Sequence, residues 1–234
     1  MMKKSVLLIS AGLLATVITT RAQALPEEER LRSIHFGLSG GLNYIDIRNP
    51  FDAPDPEIDH VFYSGLSVGF LAGYDFDDTF GIRAGLFYSR QGRKAEETIG
   101  FESGPLEVKK TVDLDYVQIP LLLHLKTNRS QTGFYGQFGL VYSMLLSADV
   151  VRNGVARSDT DQLFHDSEFG ALLELGPSLS VSENVYLTLG FRGYFAITDL
   201  NHEDLDTTGL LVGKSQNVAG GLHLTLYYML PLGQ

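Results

Sequence analysis

Three charged side chains stand alone in otherwise uncharged stretches: Arg83 between Ile82 and Ser89, Glu174 between Phe169 and Val181, and Arg192 between Val185 and Thr198. An isolated charge that becomes buried needs a partner. Tyr116 and Tyr194 are candidates to complete such a buried network, and His124 and His223 fall on the same kind of polar position. The chemistry on offer is a gate or a proton path; the structural alternative is that these side chains fill the interior of a narrow closed fold. Elsewhere the reactive residue types lack the spacing that chemistry requires. His124, His165, His202 and His223 are scattered without the HExxH or other close spacing of a zinc site. The two Gly-x-Ser-x-Gly runs, Gly37-Leu38-Ser39-Gly40-Gly41 and Gly65-Leu66-Ser67-Val68-Gly69, lie inside alternating segments and not at a strand-to-helix elbow, so a serine hydrolase has no sequence support, and there is no cysteine for a thiolate nucleophile, a disulfide or a lipidated N-terminus. No enzyme, metal site or cofactor is expected.

Stretches that hold such residues must be strands. From residue 33 onward the chain divides into eight segments, 33–46, 61–75, 80–92, 111–126, 132–146, 167–181, 185–198 and 216–230, most of which alternate apolar with small or polar side chains. Period-two alternation marks a strand with two unlike faces. In 185–198, Val185, Leu187, Leu189, Phe191 and Phe195 share one face, while Tyr186, Thr188, Arg192 and Tyr194 share the other. In 111–126, Val117, Ile119, Leu121, Leu123 and Leu125 oppose Tyr116, Gln118, Pro120, Leu122, His124 and Lys126, with Leu122 a mismatch on the polar side. His223 opposes the leucines of the last segment, Arg83 opposes Ile82, Ala84, Leu86 and Tyr88 of the third, and Glu174 opposes the leucines of the sixth. Pro120 removes a ladder donor inside a strand, so a bulge is expected there.

Connections alternate in length. Short turns at 75–79, 127–131 and 182–184 alternate with long segments at 47–60, 93–110, 147–166 and 199–215. Short turns on one side and long loops on the other describe an eight-stranded antiparallel up-and-down transmembrane β-barrel. A strand of about 12 residues, tilted by ~40°, rises about 30 Å, enough for the ~25 Å apolar band of such barrels. An interior of eight strands is filled by side chains, which argues against a wide pore. Tyr44, Tyr74, Tyr88, Tyr142 and Tyr228 would form aromatic girdles at the interfaces. A secreted lipocalin-like barrel with a hydrophobic ligand is the soluble alternative. It would point its apolar faces inward and charge its outer ones, whereas the polar faces here are mainly Gly, Ser, Thr, Tyr and Gln with single charges.

Acids gather in three of the long loops, with Asp46, Asp52, Asp55, Glu57 and Asp59 in the first, Asp149, Asp159, Asp161 and Asp166 in the third, and Asp199, Glu203, Asp204 and Asp206 in the fourth. Calcium is one use for them and a solvated surface the other, and no EF-hand spacing is present. The second loop mixes Arg90, Arg93, Lys94, Lys109 and Lys110 with Glu96, Glu97 and Glu102, bases that could meet lipid phosphates at the outer rim.

The first residues read as an export signal: Lys3 and Lys4, an uncharged apolar run from Val6 to Ile18, then Ala22-Gln23-Ala24, which places cleavage after Ala24 and leaves 25–234 as the barrel domain. That run is too short for a bilayer-crossing helix. The formal net charge of -10 lacks the basic footprint of a nucleic-acid partner.

Three passages carry a family resemblance: Arg83-Ala84-Gly85-Leu86-Phe87-Tyr88-Ser89-Arg90-Gln91-Gly92; Asp115-Tyr116-Val117-Gln118-Ile119-Pro120-Leu121-Leu122-Leu123-His124-Leu125-Lys126; and Tyr135-Gly136-Gln137-Phe138-Gly139 followed by Gly176-Pro177-Ser178. Together they resemble the PorT-like outer-membrane β-barrel family, most specifically in the Tyr-Val-x-Ile-Pro-Leu-Leu run. The resemblance implies fold and bacterial outer-membrane location; it implies no assigned activity, and the secretion role of one branch does not carry over. Outer-membrane barrels usually end their last strand on an aromatic residue, whereas here Tyr227-Tyr228-Met229 is followed by Leu230-Pro231-Leu232-Gly233-Gln234. The expectation is a monomer in contact with outer-membrane lipids and the barrel insertion machinery. Its work is structural or interaction-based through acidic surface loops whose partner is unknown. A secreted ligand-binding barrel, an outer-membrane lipid-modifying enzyme and a narrow ion channel are the alternatives.

Overall fold

A computed structural model describes residues 32–48, 58–60, 63–101, 104–127, 132–156, 163–200 and 215–232. The export signal with its cleavage after Ala24, His202 and the loop acids Asp52, Asp55, Glu57, Glu102, Asp159, Asp161, Glu203, Asp204 and Asp206 lie outside them. Its strands are β1 (Ser33–Arg48), β2 (Ile58–His60), β3 (Ser64–Asp75), β4 (Phe80–Phe101), β5 (Gly104–Lys126), β6 (Gly133–Arg152), β7 (Val155–Ala156), β8 (Ser167–Ser180), β9 (Val185–Ala196) and β10 (Gln216–Pro231). Eight of these run in the order β4-β3-β1-β10-β9-β8-β6-β5, and β4 pairs with β5 to close the ring. Each neighbouring pair is antiparallel, so the fold is a closed eight-stranded up-and-down β-barrel. All eight expected segments are barrel strands.

The faces follow the alternation. Leucines point outward, with Leu38 67% and Leu222 60% exposed, while the polar positions point inward, with Arg83 0% and Glu174 1% exposed. On β1 the outward apolar residues run from Phe36 to Tyr44, a rise of about 20 Å at ordinary strand pitch and tilt. Water would make such a surface costly, and a bilayer makes it favourable. A soluble barrel needs the opposite arrangement, so the lipocalin-like alternative does not describe this molecule. Glycines under the lumen side chains make room for them. A Cβ at Gly73 would stand 2.2 Å from Arg83 Cδ, and one at Gly41 would stand 2.5 Å from the His223 ring.

Two expectations are corrected. The second long loop, 93–110, is strand almost throughout: β4 and β5 pair out to Phe101 and Gly104. β2 adds to β4 at Ala95 to Glu97, and β6 continues past the third loop's expected start to Arg152. There Asn153 (φ 52°) and Gly154 (φ 78°) turn the chain into β7, the left-handed pair that a two-residue hairpin requires. A β-sheet therefore stands beyond the barrel at its long-loop end. Polar composition alone suggested loops because a solvated sheet has no lipid face to reveal alternation.

The second correction concerns Pro120, where no bulge occurs. Register is continuous through Pro120 on the β6 side, and its missing donor shows instead as a gap in the β4 ladder opposite Gly85 and Leu86. The shift lies between Asp115 and Tyr116, which pair with Ser147 and Leu145 and leave Leu146 as the extra residue. Below it Val141 and Ser143 face inward; above it Ala148 and Val150 do.

Candidate functional site

The buried polar side chains converge in the lumen, where they form separate groups stacked along the barrel. At the short-turn end Asp75, the last residue of β3, ties four strands. Its Oδ1 lies 2.7 Å from Arg83 Nη1 on β4, and its Oδ2 accepts from Lys126 Nζ on β5 at 2.6 Å and lies 3.0 Å from His35 Nε2 on β1. Arg83 lies over the Tyr227 ring at 5.9 Å, and Tyr227 stacks on Tyr186 with centroids 4.8 Å apart. In the middle, Arg192 Nε donates to Glu174 Oε2 at 2.5 Å and the Tyr135 hydroxyl to Oε1 at 2.6 Å. Arg192 also sits 4.8 Å above Phe87, His124 stacks on Tyr135, and His223 Nε2 lies 2.9 Å from Asn43 Oδ1. Toward the long-loop end the Tyr194 hydroxyl donates to Glu168 Oε1 at 2.6 Å. There Asn217 Nδ2 donates both to Glu168 Oε2 at 2.8 Å and to the Tyr116 hydroxyl at 3.2 Å.

The expected single cluster of Arg83, Glu174, Arg192, Tyr116 and Tyr194 is thus divided. Glu174 and Arg192 meet because they are directly opposite on β8 and β9, a pairing that follows from the short turn between them. Arg83 takes Asp75 instead, and Tyr116 and Tyr194 gather around Glu168 and Asn217. Asp75, Glu168, Asn217, Tyr135 and His35 were missed. Asp75 reads as a turn acid, and Glu168, at the start of the segment 167–181, stands beside the loop acid Asp166; their inward parity was the available signal.

Above the third group the mouth is closed by apolar side chains. Ile47, Val112, Leu114, Ala148 and Val150 point inward from the strands and bury Phe164 and Leu200 from the long connections. Backbone bonds hold those two in place as a strap across the opening: Leu145 N to Asp166 O at 2.8 Å, His165 N to Leu200 O at 3.0 Å, and Leu200 N to Ser215 O at 2.9 Å. Beside the mouth the Tyr63 hydroxyl donates to Asp113. Burial and that carboxylate push the Tyr63 hydroxyl above its ordinary pKa. Between the middle and outer groups lies a cavity the size of one water, with Gln118, Pro120, Leu122 and Arg192 in its lining.

Ser33, His35 and Asp75 have the residue types of a hydrolytic triad but a different geometry. Ser33 Oγ at 2.8 Å and Asp75 Oδ2 at 3.0 Å both contact His35 Nε2, while Nδ1 faces the Tyr186 hydroxyl at 2.9 Å. A triad places nucleophile and acid on opposite ring nitrogens. Among the described residues no three acids or histidines converge as a metal site.

The family comparison agrees with this architecture. A family model described as outer membrane protein beta-barrel domain matches residues 21–201. Among solved structures, the outer membrane protein OprG of Pseudomonas aeruginosa is similar over 87% of this chain and 98% of its own, at 16% identity and a TM-score of 0.46. Neisserial surface protein A is similar over 84% of this chain and 96% of its own, at 15% identity and a TM-score of 0.43. The attachment invasion locus protein Ail of Yersinia pestis is similar over 83% and 98%, at 12% identity and a TM-score of 0.37. No curated protein sequence matches the chain.

Proposed function

The chain belongs to the outer membrane protein β-barrel domain family, and we propose that within it this barrel is a sealed anchor for an extracellular β-sheet, acting by contact rather than by conduction or catalysis. The observation that carries this reading is the state of the lumen. Its charged groups at Asp75 and Glu174 are tied to partners within 2.7 Å, and the apolar strap closes the mouth above them. Such an interior gives ions no wet path. The part left to act is the sheet formed by β2, the outer halves of β4, β5 and β6, and β7. Lipids of the outer membrane are the partners of the apolar belt, and the barrel insertion machinery places it there after export and cleavage behind Ala24. The barrel is a monomer. Its place on the PorT-like branch of the family is supported by the Tyr116-to-Lys126 run and the two passages that accompany it.

The test is planar-bilayer recording of the refolded protein, with a heat-modifiable gel band confirming the barrel. The expected result is a folded band and no unitary current steps. Steady unitary conductance from the folded species would overturn the sealed-anchor reading.

A further inference from the structure

Glu168 differs from the other acids of the lumen. Asp75 has Arg83 and Lys126 against it, and Glu174 has Arg192. Glu168 is 1% exposed, and the side chains that meet it are neutral: the Tyr194 hydroxyl from β9 at 2.6 Å and the Asn217 amide from β10 at 2.8 Å. The residue opposite it on β6 is Ser143, and Tyr116 of β5 joins it only through Asn217. Bases on the strands around it are engaged elsewhere, Arg192 with Glu174 and Arg93 with Asp46 and Ile47 O. On its own chain Asp166, two residues back, is exposed, and His165 lies in the strap. A buried carboxylate without a cation is much less stable than the same group protonated. The protonated form suits these neighbours. Its O–H can donate to the Tyr194 hydroxyl, whose own hydrogen then turns to Ser143 Oγ at 3.3 Å, while Asn217 still donates to the other oxygen.

Glu168 is also tied to the plug. Phe164, buried in the plug, is four residues before it on the same chain, and the strap bond from Leu145 N to Asp166 O is two residues away. Tyr116, which shares Asn217 with Glu168, packs in one apolar cluster with Phe164 and Leu200. We propose that Glu168 is a proton-operated latch on the plug: protonated, it lets the strap lie closed across the mouth, and ionised, it draws water in and loosens the strap. The strap is the boundary that yields, because a few backbone bonds hold it whereas the wall beside Glu168 is a continuous ladder. Resting on the sealed-anchor reading, this makes the outermost layer of the seal sensitive to pH, while the paired charges at Asp75 and Glu174 keep the lumen below it shut. Protonation favours the closed form, so closure is firmest in acid and weakens as the pH rises through the titration of Glu168.

The experiment measures hydrogen exchange at the His165 and Leu200 amides of the full-length protein in nanodiscs, from about pH 5 to about pH 8. Each rate is expressed as protection relative to an unstructured chain at the same pH, and the Arg192 amide serves as control. In the wild type, protection of both strap amides is expected to fall about tenfold or more across this range, the change that one pH unit of linkage gives, while that of Arg192 holds. Glu168→Gln keeps the length and cannot ionise, and is expected to hold strap protection high throughout. Where that variant lacks the heat-modifiable band, Glu168→Met, neutral and of like length, takes its place. Wild-type protection that does not change with pH, or a fall that persists without Glu168, as titration of His165 would give, would overturn the proposal. Unitary current would overturn the sealed-anchor reading and leave the exchange result standing, so the two failures are told apart.

Discussion

Removing the carboxylate of Asp75 isolates Arg83, a charge that has no other acid beside it among the described residues. Arg83 and Asp75 are 0% and 2% exposed in their side chains, 2.7 Å apart, with Lys126 sharing the second oxygen at 2.6 Å. Breaking a buried pair by deleting one partner costs about 3–5 kcal/mol, because the survivor stays buried. Asp75→Asn should fall near the low end, about 3 kcal/mol or roughly 150-fold in the folding equilibrium. The amide oxygen still accepts one bond, and Lys126, near the barrel end, can turn its amine to water. The assay is urea unfolding in lipid vesicles, followed by far-ultraviolet circular dichroism and the heat-modifiable band, since the chain has no tryptophan to report by fluorescence. Adding Arg83→Met to Asp75→Asn removes the stranded charge, and the double variant should be more stable than Asp75→Asn alone. A cost of Asp75→Asn below ~0.5 kcal/mol, the scale of an exposed pair, would refute the reasoning, as would a double variant less stable than the single.

Two further perturbations test the outer belt and the plug. Leu38→Arg puts a guanidinium on the lipid face at a position 67% exposed, and should cost about 2–4 kcal/mol in bilayers, measured by equilibrium folding into vesicles. Phe164→Ala removes a side chain only 3% exposed from the plug. Hydrogen exchange of the His165 and Leu200 amides should quicken at least tenfold while that of Arg192, deep in the barrel wall, stays unchanged.

Much of the barrel was readable from period-two alternation because lipid outside and a polar lumen inside impose opposite demands on successive residues. Arg192, His124 and His223 were placed on the correct face for that reason. Partner identity was less readable, since parity states which face a residue occupies but not which strand lies across the lumen from it. Glu174 and Arg192 are the exception, being joined through one short turn. Asp75 was hidden by its neighbours Asp77 and Asp78, of which Asp77 caps the turn: its Oδ1 accepts from Thr79 N and Phe80 N, both at 2.7 Å. The outer sheet was unreadable as strand because the Glu and Lys content of 93–110 suggests a loop. Phe164 and Leu200 lay in segments judged by their acids, so the apolar side chains that close the mouth drew no notice.

The extra residue at Leu146 gives β6 two reading frames. Odd-numbered residues face inward below it and even-numbered ones above it, so the frame that orders the lumen ends where the frame of the outer sheet begins. A pairing slip confined to the upper frame would turn Asp149 and Val151 inward and unseat Ala148 and Val150, yet leave Val141 and Ser143 where they are. The membrane part and the sheet above it are therefore independent in register though continuous in backbone, and changes in the sheet's length need not be transmitted to the wall that carries it.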